Sequence, residues 1–263
     1  MVLSTRSSRG SEIVYSDEGP WLTRLAHGRY QINGESGYYD TADSGAFEVQ
    51  GDDLVLKTKR YDTPKTGGSL TLPHRAAMLT GLKKGPQFTI GEPDLVFKYG
   101  SIRWVAKMPN RRYAWPALWL LSLHDHSSGV LEPQWPFEID VYEGFGYDPS
   151  WNLPGGISSY IHGGVEGSGN SNMKRGAYRP EMKDLGLENT LDSEFHSYAC
   201  TITPDWITTY MDGLEFVRMA NPFNSTEGWY PLMNVAVKAP LDAPYNDGSG
   251  DMHIRSVQIW RAE

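Results

Sequence analysis

Short runs in which apolar and polar residues alternate recur along this chain, and amphipathic helical patterns are almost absent. An alternation with a period of two residues is typical of half-buried strands. The strand candidates are Asp53 to Lys59, Tyr99 to Pro109, Trp115 to Leu121, Ile157 to His162, Phe195 to Ile202, Trp206 to Met211, Leu214 to Met219, Tyr230 to Val237 and Met252 to Trp260. This pattern predicts an all-β fold of two packed antiparallel sheets.

Turn-forming residues mark the boundaries between these strands. Asp212-Gly213 separates two strand candidates and predicts a hairpin. A Pro/Gly-rich stretch, Pro64 to Gly68, follows the first candidate. The first 50 residues are polar and turn-rich, so we expect irregular cover with at most one strand there. We find no internal repeat and no domain linker, and we therefore expect one domain over residues 1–263.

The run Trp115 to Leu121 is nearly continuously apolar. It fits either a strand buried on both faces or a short core helix. Pro116 and the short length of the run favour the strand.

Composition narrows the possible partners. The 263 residues carry a net charge of −8, and this acidic balance argues against nucleic acid as a partner. Aromatic residues make up 12 % of the chain, and their rings suit the flat faces of sugars, although a β-rich core needs aromatic residues too. No apolar run is long enough to span a membrane, and the start of the chain lacks the apolar stretch of a signal peptide. The single cysteine, Cys200, is expected to be a buried core thiol.

Three carboxylates stand close together in Phe137 to Gly144, at Glu138, Asp140 and Glu143. Side chains alternate across a strand, so the first two acids share a face and the third, at an odd offset, points the other way. A β-bulge near Val141 or Tyr142 would return all three to one face. Composition alone gives roughly 0.5 chance occurrences of a fixed three-acid pattern in such a chain. The three acids alone are therefore weak evidence, and their position in a strand is what makes them informative.

These residues resemble glycoside hydrolase family sixteen, the laminarinase, lichenase and agarase group. Its signature has a bulged form, Glu-x-Asp-x-x-Glu, which Glu138, Asp140 and Glu143 match. The resemblance extends from about Leu54 to Trp260. It is carried by Tyr99-Gly100, by Trp115 to Leu121, by Ile161-His162, by Phe195 to Tyr198, by Thr203 to Asp205, by Tyr210 to Gly213 and by Leu232 to Val237. The resemblance implies a β-jelly-roll sandwich with a substrate cleft across its concave sheet.

The resemblance also implies roles for individual residues. Glu138 would be the nucleophile, Glu143 the general acid, and Asp140 the carboxyl between them. Retention of configuration requires the two catalytic carboxyl groups to be about 5 to 5.5 Å apart. The expected substrate-binding residues, for which structural roles remain the alternative, are Trp115, Trp119, Trp135, His162 and Asn234.

The sequence departs from the family pattern in two strands. Arg103-Trp104-Val105 stands where an acidic residue, a spacer and an arginine are frequent. Arg255 stands where the family has an aspartate that often binds a structural calcium. The aspartate is absent here, so we do not predict a calcium site at this position. His124-Asp125-His126 looks like a metal motif but has no third ligand nearby, and we interpret it as a solvated loop.

The function expected from these features is that of a retaining, endo-acting β-glycanase that needs no cofactor. Its substrate would be an extracellular polysaccharide, and a 1,3- or mixed 1,3/1,4-β-glucan or a glucose-rich bacterial exopolysaccharide is favoured. The alternatives are a non-catalytic, lectin-like binding module, and a galactan hydrolase or transglycosylase that uses the same site. We expect a monomer that works outside the cell, without a membrane partner.

Overall fold

The computed structural model describes residues 21–25, 28–30, 33–83, 90–91, 95–123, 137–145, 156–162, 174–178, 182–186, 190–223, 228–240 and 246–262. The strands in these ranges, in chain order, are β1 (Gly37–Tyr39), β2 (Phe47–Gln50), β3 (Asp53–Leu56), β4 (Lys59–Gly67), β5 (Leu70–Thr80), β6 (Leu82–Lys83), β7 (Ile90–Gly91), β8 (Gly100–Lys107), β9 (Ala114–Ser122), β10 (Glu138–Phe145), β11 (Gly156–His162), β12 (Lys174–Tyr178), β13 (His196–Ile202), β14 (Trp206–Met211), β15 (Leu214–Ala220), β16 (Trp229–Val237) and β17 (Met252–Arg261). Two short 3-10 helices are Ala42–Ser44 and Met182–Leu185.

Two sheets account for nearly all of these strands. The first has the order β1-β5-β16-β9-β10-β11-β12, with β4 paired to β5, and we call it the cleft sheet. The second has the order β15-β14-β13-β8-β17-β3-β2, and we call it the backing sheet. Consecutive strands of the chain lie in different sheets several times, as in a jelly roll. The all-β sandwich expected from the sequence is therefore confirmed.

The main hydrophobic core fills the space between the two sheets. Its largest members include Trp104, Tyr142 and Tyr198, which are almost fully buried. The rings of Tyr142 and Tyr198 meet edge to face with their centroids 4.8 Å apart, so they join the two sheets directly. Cys200 is buried in this core as predicted, and burial raises the pKa of its thiol.

A second apolar cluster covers part of the other face of the cleft sheet. Leu22 and Leu25 from the N-terminal segment pack there against Leu121, Tyr230 and Leu232. Leu22 also forms a bridge to Thr80, with two backbone hydrogen bonds of 2.9 Å. The N-terminal segment therefore covers one part of this face, and the substrate cleft must lie in the rest.

The first 50 residues contain more regular structure than the sequence predicted. Residues 21–50 supply β1 to the cleft sheet and β2 to the backing sheet, where at most one strand was expected. The three pairs between β1 and β5 are parallel, which is an exception in an otherwise antiparallel sheet. A Cβ at Gly37 would lie 2.7 Å from the Cβ of Ala76, so only glycine allows this close approach.

The Pro/Gly-rich stretch Pro64 to Gly68 is also more regular than expected. Most of it belongs to β4, which pairs with β5 in a hairpin that the sequence analysis did not predict. Among the described strands β4 forms backbone pairs only with β5, so it is an edge strand. Proline is tolerated on an edge because no second neighbour needs its missing N–H.

The remaining strand predictions agree with the structure to within a few residues at each end. The Asp212-Gly213 hairpin is present between β14 and β15, with φ angles of 48° and 80° at its two central residues. The described ranges contain no helix that is long and apolar enough to cross a membrane.

Gly100 is the glycine on which the backing sheet depends most. Its φ angle is +138°, and a Cβ placed there would be 2.0 Å from the carbonyl oxygen of Trp260. Gly100→Ala should therefore lower the free energy of unfolding by more than about 3 kcal/mol, because backbone strain adds to a steric clash. Urea denaturation measures this loss.

The matched control for Gly100 is Gly213→Ala in the hairpin. Gly213 also has a positive φ, but no atom of the described residues lies within 4 Å of the position that a Cβ would take there. This control should cost only about 1–2 kcal/mol, the left-handed penalty alone. Equal losses for the two variants would contradict the steric argument.

Candidate active site

The three acids of β10 lie on one face of the cleft sheet. They pair across the ladder with alternate residues of β9: Glu138 with Leu121, Asp140 with Trp119, and Glu143 with Ala117. Alternate residues of a strand share a face, so their partners do too. The register shifts between Asp140 and Tyr142, where one extra residue enters β10. The bulge predicted from the sequence is therefore present.

The opposite face of β10 belongs to the core. Ile139, Val141 and Tyr142 are all at most 2 % exposed and pack in the cluster between the sheets. The bulge places the adjacent residues Val141 and Tyr142 both in this core. Without it, Glu143 would have to enter the same apolar space.

A buried hydroxyl pair holds the bulge in place. Ser159 Oγ on β11 donates a hydrogen bond to the carbonyl oxygen of Asp140, at 2.9 Å. The same hydroxyl lies 2.8 Å from Thr209 Oγ1 on β14 of the backing sheet. Both side chains are fully buried, so the backbone at the bulge is tied across the sandwich.

Trp115 and Glu143 form a direct contact in the cleft. Trp115 Nε1 donates a hydrogen bond to Glu143 Oε1, at 3.1 Å. An N–H group needs an acceptor, so Oε1 has to act as one and a proton carried by Glu143 would have to sit on the other oxygen. Trp115 is partly exposed and lines the cleft, and Lys238 Nζ lies 5.8 Å from the centroid of its ring. Trp115 therefore positions Glu143 and also presents part of its surface to the cleft.

Trp119 and Asn234 form the floor of the cleft. Trp119 Nε1 donates to Asn234 Oδ1 at 2.7 Å, and the two side chains are 6 % and 4 % exposed. Because the amide oxygen is used by Trp119, the NH2 group of Asn234 is the part left to face a ligand. Trp119 exposes too little of its ring to serve as a broad stacking surface, so Trp115 is the better platform of the two.

The other expected binding residues are described only in part. The ladder places His162 of β11 directly opposite Glu138, but its side chain lies outside the described residues. Trp135 and His124-Asp125-His126 also lie outside them. No group of three or more His, Cys, Asp or Glu side chains within the described ranges is arranged to hold a metal ion.

The two departures from the family pattern lie on the backing sheet, away from the acids. Arg103 on β8 bonds to Gln258 and lies over the ring of Trp260. Arg255 on β17 donates to Asp53 Oδ1 at 3.0 Å, with its guanidinium 3.6 Å from the centroid of the Phe195 ring. Neither arginine reaches the cleft.

Asp140 is a buried acid with a perturbed pKa. Burial, and then the charge of Glu143, raise the pKa of Asp140 well above its ordinary value, and a hydrogen bond with Glu138 opposes the rise. A carboxyl that is 4 % exposed between two others holds its proton because a third charge there would be repelled and poorly solvated. The trio therefore carries less negative charge than its three acids suggest.

A fourth carboxyl, Glu35, lines the same cleft and was missed by the sequence analysis. It precedes β1, is 5 % exposed and accepts a hydrogen bond of 2.9 Å from the hydroxyl of Tyr39. Burial raises the pKa of Glu35 to about 7, against the opposing effects of Tyr39 and Lys238. The sequence places Glu35 in a polar, turn-rich stretch, and no local pattern indicates that it is buried.

Paired carboxylates in a cleft are the catalytic groups of most glycoside hydrolases. The sequence pattern of Glycosyl hydrolases family 16 matches residues 41–247. The chain belongs to this family.

Curated relatives share about a quarter of their aligned residues with this chain. An endo-1,3-1,4-beta-glycanase EglC from Rhizobium meliloti (strain 1021) is 26 % identical over 254 residues, which is 96 % of this chain and 45 % of the relative. A glucan endo-1,3-beta-glucosidase A1 from Niallia circulans is 28 % identical over 187 residues, which is 64 % of this chain and 25 % of the relative. The chain spans less than half the length of either protein.

Solved structures share the fold at lower identity. The catalytic domain of an endo-1,3-beta-glucanase (laminarinase) from Thermotoga petrophila RKU-1 has a TM-score of 0.66 at 20 % identity, covering 94 % of this chain and 92 % of that one. A LamA variant from Zobellia galactanivorans, in complex with laminaritriose and laminaritetraose, has a TM-score of 0.63 at 19 % identity, covering 91 % and 90 %.

Removal of the hydroxyl that holds the bulge tests its structural role. Ser159→Ala should lower the free energy of unfolding by about 1–3 kcal/mol, because it leaves a buried carbonyl and a buried hydroxyl without this partner. The control is Ser101→Ala, which removes a partly exposed hydroxyl pair with Thr201 on the backing sheet. Chemical denaturation of both variants provides the comparison, and a control loss as large as that of Ser159→Ala would refute the special role of the bulge.

The raised pKa of Glu35 predicts how stability depends on pH. The folded pKa is about 7 and the ordinary value is 4.5, so between these values the folded protein keeps a proton that the unfolded chain has lost. Stability is therefore lost as pH rises through this window, and the full penalty is present above about pH 7. Glu35→Gln removes the penalty and keeps an acceptor for Tyr39.

Glu35→Gln should accordingly gain about 2–3 kcal/mol of stability relative to the unsubstituted protein on going from about pH 4 to about pH 8. Urea denaturation at both pH values measures the gain. Glu194→Gln, at an exposed position, is the control for the substitution itself. A constant difference for Glu35→Gln at both pH values would contradict the assigned pKa.

Proposed function

We propose that this chain is a retaining, endo-acting β-glycanase that hydrolyses an extracellular polysaccharide, a 1,3- or mixed 1,3/1,4-β-glucan or a glucose-rich exopolysaccharide. The observation that carries the proposal is the bulge in β10, which brings Glu138, Asp140 and Glu143 to one face of a cleft lined by Trp115. The family assignment and the names of the curated relatives, an endo-1,3-1,4-beta-glycanase and a glucan endo-1,3-beta-glucosidase, support the same reaction and substrate class.

In the first step, a carboxylate oxygen of Glu138 attacks the anomeric carbon of the sugar. The bond from that carbon to the glycosidic oxygen breaks, and Glu143 gives its proton to the departing oxygen. The partners of the two glutamates on β9 are four residues apart, which is about 13 Å of strand. Their side chains therefore have to lean toward each other over Asp140 to reach the separation that retention requires.

In the second step, water completes the reaction. Glu143, now a carboxylate, takes a proton from the water molecule. The water oxygen attacks the anomeric carbon, and the bond from that carbon to Glu138 breaks. Two inversions at one carbon restore the original configuration. The Trp115 N–H holds Oε1 of Glu143, so the same second oxygen can give the proton in the first step and take one in the next.

Asp140 lies between the two glutamates on β10 and limits the negative charge around them. Burial and the charge of Glu143 raise the pKa of Asp140, so Asp140 favours its neutral form beside Glu138. A neutral carboxyl between the two glutamates adds no third charge, so the repulsion that opposes an ionised Glu138 is smaller.

The partners of the paired arginines Arg111 and Arg112 favour an uncharged substrate over a sulfated galactan. A sulfated chain would need arginines directed into the cleft. Arg111 lies 3.7 Å from Asp247, and the Arg112 guanidinium lies 4.6 Å from the centroid of the Tyr113 ring. Both groups therefore already have partners outside the cleft.

A lectin-like module is less consistent with this site. Burial of Asp140 at 4 % exposure between two other acids destabilises the fold, and binding alone gives no reason to maintain that cost. A transglycosylase shares the first step and differs in whether a sugar or water takes the second. Product analysis separates these two reactions.

Glu138→Gln tests the assigned nucleophile. It should lower turnover of a β-glucan by at least about a thousandfold, because the covalent step loses its nucleophile, while binding of the polysaccharide stays close to that of the unsubstituted protein. Reducing-end release and affinity electrophoresis on a panel of β-glucans, galactans and exopolysaccharides measure the two effects. The surface variant Glu194→Gln is the control for turnover.

Proton NMR of the first product tests the stereochemistry of the same reaction. The product should appear with the β configuration and only then mutarotate. Initial release of the α-anomer would refute the role of Glu138. Activity on agar or carrageenan, with none on any glucan, would overturn the substrate and leave the mechanism in place.

A further inference from the structure

The reaction proposed above leaves one acid of the cleft without a task. Glu35 lines the cleft together with Asn33, Tyr39 and Trp115, and the same continuous space reaches the three acids of β10. β1, which follows Glu35, and β10 are four steps apart in the cleft sheet, so about 19 Å of sheet separates them. Glu35 is therefore too distant to act on the bond that Glu138 attacks, and it faces another part of a bound chain.

The ladder shows where along the cleft this part lies. Tyr39 pairs with Ala76 on β5. The next residue of β5, Ala77, pairs with Val235 on β16. The next residue of β16, Ala236, pairs with Trp115 on β9. Tyr39 thus lies at the level of Trp115. The Glu35 carboxyl is bound to the Tyr39 hydroxyl and lines the same space as Trp115, so a sugar stacked on that indole would be near both the ring and the carboxyl.

The backbone around Glu35 is rigid. Ser36 donates from its amide to the carbonyl of Val237 at 2.7 Å, and its own carbonyl accepts from the amide of His74 at 3.1 Å. Its hydroxyl accepts from the amide of Ala239 at 3.0 Å. On the other side Gly37 lies tightly against Ala76. A side chain held in this way is pre-organised for binding.

Tyr39 positions the carboxyl itself. The phenol is 2 % exposed and gives its hydrogen to Glu35 Oε2, at 2.9 Å. This hydrogen bond satisfies one oxygen and sets the direction of the other. A sugar hydroxyl that reaches the cleft can donate to the carboxylate, and such charge-assisted hydrogen bonds are about twice as strong as neutral ones.

The charged and titratable groups around Glu35 come from several elements. Tyr39 faces it from β1, Lys238 attracts it from the end of β16, and the acids of β10 share its cleft. His74 of β5 is fully buried, and its Nδ1 forms a hydrogen bond of 3.0 Å with Ser36 Oγ. Burial outweighs these attractions, so Glu35 changes its charge near neutral pH.

We propose that Glu35 is a substrate-binding residue that determines specificity: its carboxylate accepts hydrogen bonds from the hydroxyls of an uncharged sugar unit that stacks on Trp115. This assignment rests on the proposed function. It adds a contact to the sugar unit on Trp115, and it makes that part of the cleft selective for unsubstituted hydroxyls. A sulfate or carboxylate group on the sugar at this position would be repelled.

The assignment predicts a dependence of affinity on pH that disappears when Glu35 is replaced by glutamine. Ionised Glu35 binds the sugar hydroxyls more tightly than protonated Glu35, so the affinity for a neutral β-glucan oligosaccharide should rise by about tenfold between about pH 6 and about pH 8. Turnover at saturating substrate should not follow this rise, because Glu35 does not touch the reacting atoms.

Calorimetric titration of laminarin or mixed-linkage oligosaccharides into the Glu138→Gln protein measures affinity without turnover. In this background, Glu35→Gln should weaken binding about tenfold at pH 8 and remove the dependence on pH, because a neutral amide resembles protonated Glu35 at every pH. Gln keeps an acceptor for Tyr39, so a purely structural role would leave Kd unchanged. The surface variant Glu194→Gln is the matched control.

Tyr39→Phe provides a second, independent readout. It removes the hydrogen bond that favours the carboxylate, so the rise in affinity should move to higher pH while Glu35 itself remains. Unchanged Kd values in both variants, or tighter binding at pH 6 than at pH 8, would overturn the assignment of Glu35 alone. A protein that neither binds nor cleaves any β-glucan would overturn the proposed function and this assignment with it.

Discussion

The extra residue in β10 is the constraint on which the site depends. In a regular strand Glu143 would share a face with Ile139 and enter the core between the sheets, where an unpaired carboxylate costs several kcal/mol. The bulge moves the register by one residue, so that Val141 and Tyr142 both enter the core and the acid emerges on the cleft. One local irregularity therefore satisfies the hydrophobic core and assembles the carboxylates together.

The backing sheet supports this irregularity without contributing to the cleft. Tyr198 packs against Tyr142 at the bulge, and Thr209 bonds to the hydroxyl that holds the carbonyl of Asp140. Both contacts are buried, so a displacement of β10 would break packing and hydrogen bonds at once. Catalytic geometry needs this kind of support, since small misplacements of reacting groups slow a reaction strongly.

How much the sequence predicts depends on whether the signal is local. Alternation of apolar and polar residues predicts β8, β13 and β17, and the odd spacing of Glu143 predicts the bulge, because each signal lies within a few residues. The parallel pairing of β1 with β5 has no such signal, since it joins segments that are far apart in the chain. Glu35 was missed for the same reason: its burial is created by β5 and β16, and its own neighbours are polar and turn-forming.

Under the proposed function, the acids of the cleft act on selectivity and catalysis through one electric field. Two unit charges about 5 Å apart repel by roughly 3 kcal/mol at the effective dielectric constant of a protein site. Four carboxyls line this cleft, and burial raises the pKa of Asp140 and Glu35, so their protons limit a repulsion that would otherwise destabilise the fold. The negative charge that remains repels an anionic polysaccharide and does not repel an uncharged glucan. In the proposed reaction the sugar becomes positively charged as the glycosidic bond breaks, and the same negative field then stabilises the transition state.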